Sequence, residues 1–228
     1  MIELKGVNKH FGEYHALRDI NLEVPAGQVV VILGPSGSGK STLCRTINRL
    51  ETIDDGEIRI DGELLPEEGK DLAKLRAEVG MVFQQFNLFS HMTIRDNVTL
   101  APTKVRKVSK EEARKTAEKL LDRVGIAAQA DKYPAQLSGG QQQLIRQAQA
   151  LANDPELILA DEPLLSLDPA RQQDTVDKLD ALRRERGTSI MFVTHGINPV
   201  LGVTDKVLYL APGGHTFGTV DEVMRSDV

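Results

Sequence analysis

The sequence predicts an α/β protein with a largely parallel sheet, and three observations carry that reading. Val29-Val30-Val31-Ile32-Leu33 is an unbroken apolar run, the pattern of a strand buried on both faces. Glu156–Ala160, Pro169–Arg186 and Ser189–Val193 read as strand, helix and strand in alternation, as parallel sheets require. Between residues 88 and 152 the pattern turns helical. The expectation is therefore one domain over 1–228, with an α/β core and a β-rich start at 1–87 and 153–228, and a helical lobe at 88–152.

Taken in order, Ile2, Leu4 and Gly6 alternate with polar residues, as do Ile20, Leu22 and Val24, so two half-buried strands open the chain. Pro25-Ala26-Gly27 is a turn before the buried Val29–Leu33 strand. A helix is expected over Thr42–Leu50. Asp54-Asp55-Gly56 and Asp61-Gly62 bracket Glu57–Ile60, a hairpin strand, and Val79–Phe83 is a further apolar strand. Ile94–Ala101, Ser109–Val124 and Gly139–Ala152 read as helices, the second opening on Ser109-Lys110-Glu111-Glu112, a capping-box pattern. Charges of both signs crowd Lys104–Lys119, which reads as a solvated helix face. Val207–Leu210 is a last short strand.

At 228 residues the chain is long enough for a sizeable core, and its 40% hydrophobic and 27% charged content is ordinary for a soluble globular protein. A net charge of −5 argues against a nucleic-acid partner. There is no apolar stretch of membrane-spanning length and no signal-peptide pattern. The lone Cys44 has no partner for an internal disulfide, which fits a reducing cytoplasm and a packing role.

The chemistry lies in the turns. Gly34-Pro35-Ser36-Gly37-Ser38-Gly39-Lys40-Ser41 fits G-x-x-x-x-G-K-[ST] between a strand and a helix, with Thr42 next in line. Such a turn aims backbone N–H groups and a positive helix end at phosphate. Lys40 would reach the β- and γ-phosphates of ATP, and Ser41 would ligate Mg²⁺. Leu137-Ser138-Gly139-Gly140-Gln141 is a second glycine-rich helix start, distant in sequence. Leu157-Ile158-Leu159-Ala160 ends in Asp161-Glu162, two carboxylates where parallel sheets place ligands. Asp161 suits Mg²⁺ and Glu162 suits activation of a water molecule. His195 follows another strand, where it could contact the γ-phosphate and orient Glu162. Gln84 ends the Val79–Phe83 strand as a candidate Mg²⁺ ligand and γ-phosphate sensor. Phe11 is the candidate adenine platform, with Tyr14 the runner-up.

Together these residues resemble the ATP-binding subunits of ABC transporters, specifically bacterial importers, over essentially the whole chain. The likeness covers Walker A (34–42), a Q-loop at Gln84, the LSGGQ signature (137–141), Walker B (157–162), a D-loop at Ser166-Leu167-Asp168 and an H-loop at His195. It implies a P-loop ATPase fold: a RecA-like core, an antiparallel β subdomain and an inserted helical subdomain. It also implies a head-to-tail homodimer, with Ser138, Gly139, Gly140 and Gln141 of one copy on the nucleotide of the other, and a catalytic part for Asp168. Membrane permease subunits, docked near the Q-loop and helical lobe, would be the direct partners at the cytoplasmic face of the membrane. An extracytoplasmic substrate-binding protein would be an indirect one.

Two resemblances divide the chain. Arg45–Glu51 and Val82–Phe89 look like polar amino acid (glutamate-type) uptake subunits, whereas Leu164–Pro169 and Ile197–Leu201 look like metal-ion importer subunits. The pattern reads as a hybrid or designed sequence, which a divergent natural branch would also resemble, and because the docking segments lie in the first part, a polar amino acid is the expected cargo and a metal ion the alternative. Departures from the family are Leu144 and Gln149, where arginines are usual, Arg146, where a small residue is usual, and Gly196, where an acidic one is commoner. They keep open a folded domain of weak turnover. The family's C-terminus usually runs beyond the point reached at Val228. A soluble ABC ATPase acting on DNA or ribosomes is the rival class, but the chain has one cassette, no heptad arm and no cysteine cluster.

Overall fold

Two sheets organise the chain in the computed structural model, which describes residues 1–84 and 88–225. The first is antiparallel. It comprises β1 (Ile2–Phe11), β2 (Tyr14–Val24), β4 (Asp55–Ile60) and β5 (Glu63–Leu64), in the order β2-β1-β4-β5. The second has six strands: β3 (Val29–Leu33), β6 (Val79–Val82), β7 (Leu157–Asp161), β8 (Ser189–Val193), β9 (Lys206–Ala211) and β10 (Gly214–Gly218). Its order is β10-β9-β3-β8-β7-β6, parallel throughout except for β10 against β9.

Strand periodicity divides the core in two. Val29, Val31, Ile158, Ala160, Ile190 and Phe192 face a cluster shared with the helices, while Val30, Ile32, Leu157, Leu159, Met191 and Val193 face the antiparallel sheet and the first helix. Because a strand alternates sides at every residue, a run apolar at every position must be covered on both faces. The helices are α1 (Lys40–Ile47), α2 (Gly69–Glu78), α3 (Ile94–Lys104), α4 (Lys110–Arg123), α5 (Gly139–Leu151), α6 (Pro169–Arg186) and α7 (Val220–Met224). Cys44, on α1, is fully buried, and burial pushes its thiol pKa up, as suits a packing residue.

Several local expectations are corrected. The first helix starts at Lys40 rather than Thr42 and stops at Ile47 rather than Leu50. Gly39 at φ 94° lets it begin directly on the phosphate loop, and Arg49 at φ 59° turns the chain away. α3 continues past Pro102 to Lys104, since a proline in the last turn forfeits one helical bond and Val105 N still donates to Ala101 O at 2.8 Å. Ser109 caps α4 by accepting from Glu112 N at 3.2 Å, but only this half of the capping box forms. Sequence periodicity missed α2, β5, β10 and α7, all short or weakly amphipathic. By contrast α6 begins and ends as expected, because Asp168 caps it, Pro169 opens it and Gly187 at φ 71° closes it.

Candidate functional site

The parallel strands β3, β8 and β7 end along one edge, with Ile32 beside Val193 and Val193 beside Asp161. That register gathers the phosphate loop, Thr194-His195 and Asp161-Glu162 at the carboxyl ends of three adjacent strands. Neighbouring strands lie about 4.8 Å apart, so groups spread over roughly 10 Å face a common volume.

The loop conformation depends on glycine at two places. Gly34 has φ 142°, and a Cβ there would sit 2.1 Å from Leu210 O; at Gly39 it would sit 2.5 Å from Ala16 O. Gly34→Ala is therefore expected to strain or displace the loop, costing about 1–3 kcal/mol, with a lower melting midpoint and weaker nucleotide binding. An unchanged midpoint and unchanged affinity would show that β9 yields without effect.

Lys40, only 6% exposed, folds over the loop and donates to Gly34 O and Pro35 O, each at 2.8 Å. Burial lowers its pKa, while the carboxylates of Glu162 and Asp161 work against that shift. Asp161 is 1% exposed and accepts from Ser41 Oγ at 2.9 Å. Burial raises its pKa, opposed by that hydrogen bond and by the charges of Arg45 and Lys40. Glu162 is likewise buried and raised, with His195 opposing the rise and Asp161 adding to it. His195 Nε2 lies 3.3 Å from Glu162 Oε1. Two buried carboxylates, one ammonium and one imidazole thus meet where a phosphate chain would end.

The backbone at Glu162 is in the left-handed region, φ 52°, as is Ser166 at φ 65°. Side chains other than Gly, Asn and Asp are uncommon there, at about 1–3 kcal/mol each, and such strain concentrates at functional sites. Asp168 caps α6, its Oδ1 accepting from Arg171 N at 3.0 Å. Ser138 caps α5 in a full capping box with Gln141, leaving Gly139 and Gly140 half-buried at the helix start. No hydrogen bond or ion pair joins residues 138–141 to the phosphate loop among the described residues. Gln84 is exposed two residues beyond β6, while Gln85, Phe86 and Asn87, part of the expected Q-loop likeness, lie outside the described residues.

Phe11 and Tyr14 pair across the β1–β2 turn. Phe11 is 47% exposed rather than in the core, with Lys9 Nζ 5.3 Å from its ring centre. Tyr14 Oη donates to Gly37 O, so the runner-up aromatic is the one that touches the phosphate loop. The departures after Gln141 have partners: Leu144 is buried in the core, Arg146 Nη1 donates to Phe83 O, and Gln149 Nε2 donates to Asn97 O at 3.1 Å. Burial lowers the Arg146 pKa to about 10. At Gly196, N–H and carbonyl both bond the Thr194 hydroxyl, at 3.3 and 3.2 Å, which holds the backbone beyond His195. Sequence reading missed Gln143 and Gln147, buried amides on α5 that reach the turn after Asp161-Glu162. No signal singled them out, since Gln141, Gln142, Arg146 and Gln149 make the same helix polar at neighbouring positions.

Comparison with known proteins matches residues 17–165 to the ABC transporter family model. The glutamate transport ATP-binding protein GluA of Corynebacterium glutamicum is 62% identical over 213 residues, 93% of this chain and 88% of that protein. The glutamate/aspartate import ATP-binding protein GltL of Escherichia coli is 49% identical over the same 213-residue length, again 93% of this chain and 88% of the relative. A solved dimeric ATP-binding cassette in a post-hydrolysis state, bound to ADP and Pi, superposes with a TM-score of 0.90 at 38% identity, covering 96% of this chain and 99% of its own.

Proposed function

The chain belongs to the ABC transporter family, and from that premise we propose that it is the ATP-hydrolysing subunit of a polar amino acid importer, working as a pair of copies. The observation that carries this reading is the junction of Lys40, Ser41, Asp161, Glu162 and His195 at one sheet edge, with the Ser138–Gln141 turn held apart from it. An anion-ready helix start that touches no phosphate site of its own chain is suited to a nucleotide on a second copy. Relatives that serve glutamate and aspartate support a polar amino acid as cargo. No helix among the described residues is long and apolar enough to cross a membrane. In this proposal permeation belongs to a partner polypeptide, at whose cytoplasmic face this subunit sits, a reading supported by relatives named as ATP-binding transport proteins.

ATP enters with its phosphates on the loop amides, and Lys40 leaves the Gly34 and Pro35 carbonyls for phosphate oxygens. Ser41 Oγ and Asp161 Oδ1, oxygens 2.9 Å apart on a hydroxyl and a buried carboxylate, fit a hard cation such as Mg²⁺, and Gln84 is a further candidate ligand. When bound, the ion neutralises charge on the phosphates. Glu162 accepts a proton from water as the water oxygen bonds the γ-phosphorus and the bond to the bridging oxygen breaks. His195 holds the Glu162 carboxylate in line. Phe11 stacks on adenine, and Ser138, Gly139, Gly140 and Gln141 of the second copy close on the γ-phosphate. Asp168 completes the turn facing that copy.

A cleft of about 320 Å³ between β6 and α5, lined by Asn48, Arg76, Met81, Phe83, Arg146 and Gln149, is where the permease docks in this proposal. The hybrid reading belongs here too, supported by the metal-importer-like stretches Leu164–Pro169 and Ile197–Leu201. Docking and stimulation by a metal permease alone would replace the amino acid assignment. The two-copy mechanism predicts that phosphate release per molecule falls on dilution and that Ser138→Ala lowers it. A rate indifferent to both would end it.

A further inference from the structure

One face of α5 is reserved for the catalytic turn. Gly140, Gln143 and Gln147 recur at helical spacing, so they lie on the same side of the helix. At Gly140 the backbones approach closely: a Cβ there would be 3.0 Å from Ser166 O. Gln143 Nε2 donates to Pro163 O at 2.8 Å and reaches Glu162 O at 3.4 Å, and Gln147 Nε2 donates to Pro163 O at 3.2 Å. Both side chains are buried, 1% and 3% exposed, beside the apolar Leu144, Ile145 and Ala148. Burying amides among apolar neighbours is unfavourable unless they are bonded, and Gln143 Oε1 accepts no hydrogen bond among the described residues. Core packing alone would favour leucine or methionine at both positions.

The turn they hold is the strained one, with positive φ at Glu162 and Ser166. We infer that Gln143 and Gln147 are positioning residues that tie the signature helix to the Glu162 backbone, so that docking of α5 on an anion sets the geometry of the general base in the same chain. The inference rests on the two-copy reading, in which that anion is the other copy's nucleotide. A single rigid helix then carries both contacts: Ser138–Gln141 at its tip and the amide ties along its flank. Each hydrolytic site thereby responds to whether its own chain has gripped the opposite nucleotide.

Gln143→Met and Gln147→Leu keep volume and remove the donors. Steady-state hydrolysis against ATP, and dimerisation by light scattering with a non-hydrolysable MgATP analogue, read the effect. For both variants kcat should fall roughly 10-fold or more, with KM within about twofold and dimerisation retained, since misplacing a reacting group by an ångström costs on that order. In the double variant Ser138→Ala/Gln143→Met the two losses should not multiply, because they act along one path. Unchanged kcat in both single variants overturns the inference. So does a fall in kcat that merely follows lost dimerisation and a lowered melting midpoint, which marks a packing role, and so do losses that multiply. If the unsubstituted protein stays single with the analogue, the two-copy reading fails first and takes the inference with it.

Discussion

Glu162→Gln should reduce phosphate release about 100-fold or more while leaving MgATP binding intact. Glu162 is 7% exposed, the pKa of its carboxyl is raised by burial, and His195 Nε2 stands 3.3 Å away. Those are the conditions under which a carboxylate accepts a proton from water rather than remaining fully solvated and weakly basic. Glutamine preserves the shape and one acceptor oxygen but cannot take the proton. The ATP-bound state then persists, and sizing with MgATP should report a dimer that the unsubstituted protein only visits. Equal phosphate release by the two proteins would mean that Glu162 is not the base.

Lys40→Ala should act one step earlier, on binding itself. Lys40 is a buried cation of the site, and it spans the loop through two 2.8 Å bonds to carbonyls. Truncation removes a charge-assisted partner for phosphate and the brace between Gly34 and Pro35. Loss of one member of a buried charge pair costs about 2–5 kcal/mol, so affinity should fall by roughly 30-fold or more. It also leaves Asp161 and Glu162 without the ammonium that offsets their mutual repulsion. Calorimetric titration with unchanged affinity would contradict this role.

Local chemistry made much of this legible in the sequence. The phosphate loop, α6 with its Asp168 cap and Gly187 stop, and the buried strands β3 and β8 each carry signals within a few residues. The sheet order, by contrast, depends on pairings between distant segments, such as β3 with both β8 and β9, which no local pattern encodes. Lys40, Ser41, Asp161, Glu162 and His195, which meet at the sheet edge, were each legible as residues but not as contacts. Tyr14 touching Gly37 O, with Phe11 left exposed, follows from how the β1–β2 turn is set on the loop. The roles of Gln143, Gln147 and Arg146 were hidden because long polar side chains on a helix look like solvent-facing residues until tertiary packing buries them.

The left-handed backbone at Glu162 sets a conflict between durability and work. Glycine or asparagine would relax that torsion, so selecting this protein for heat tolerance alone favours replacing the proposed general base. Hardier descendants found that way would be inert, and selection must be read out on turnover as well as on survival.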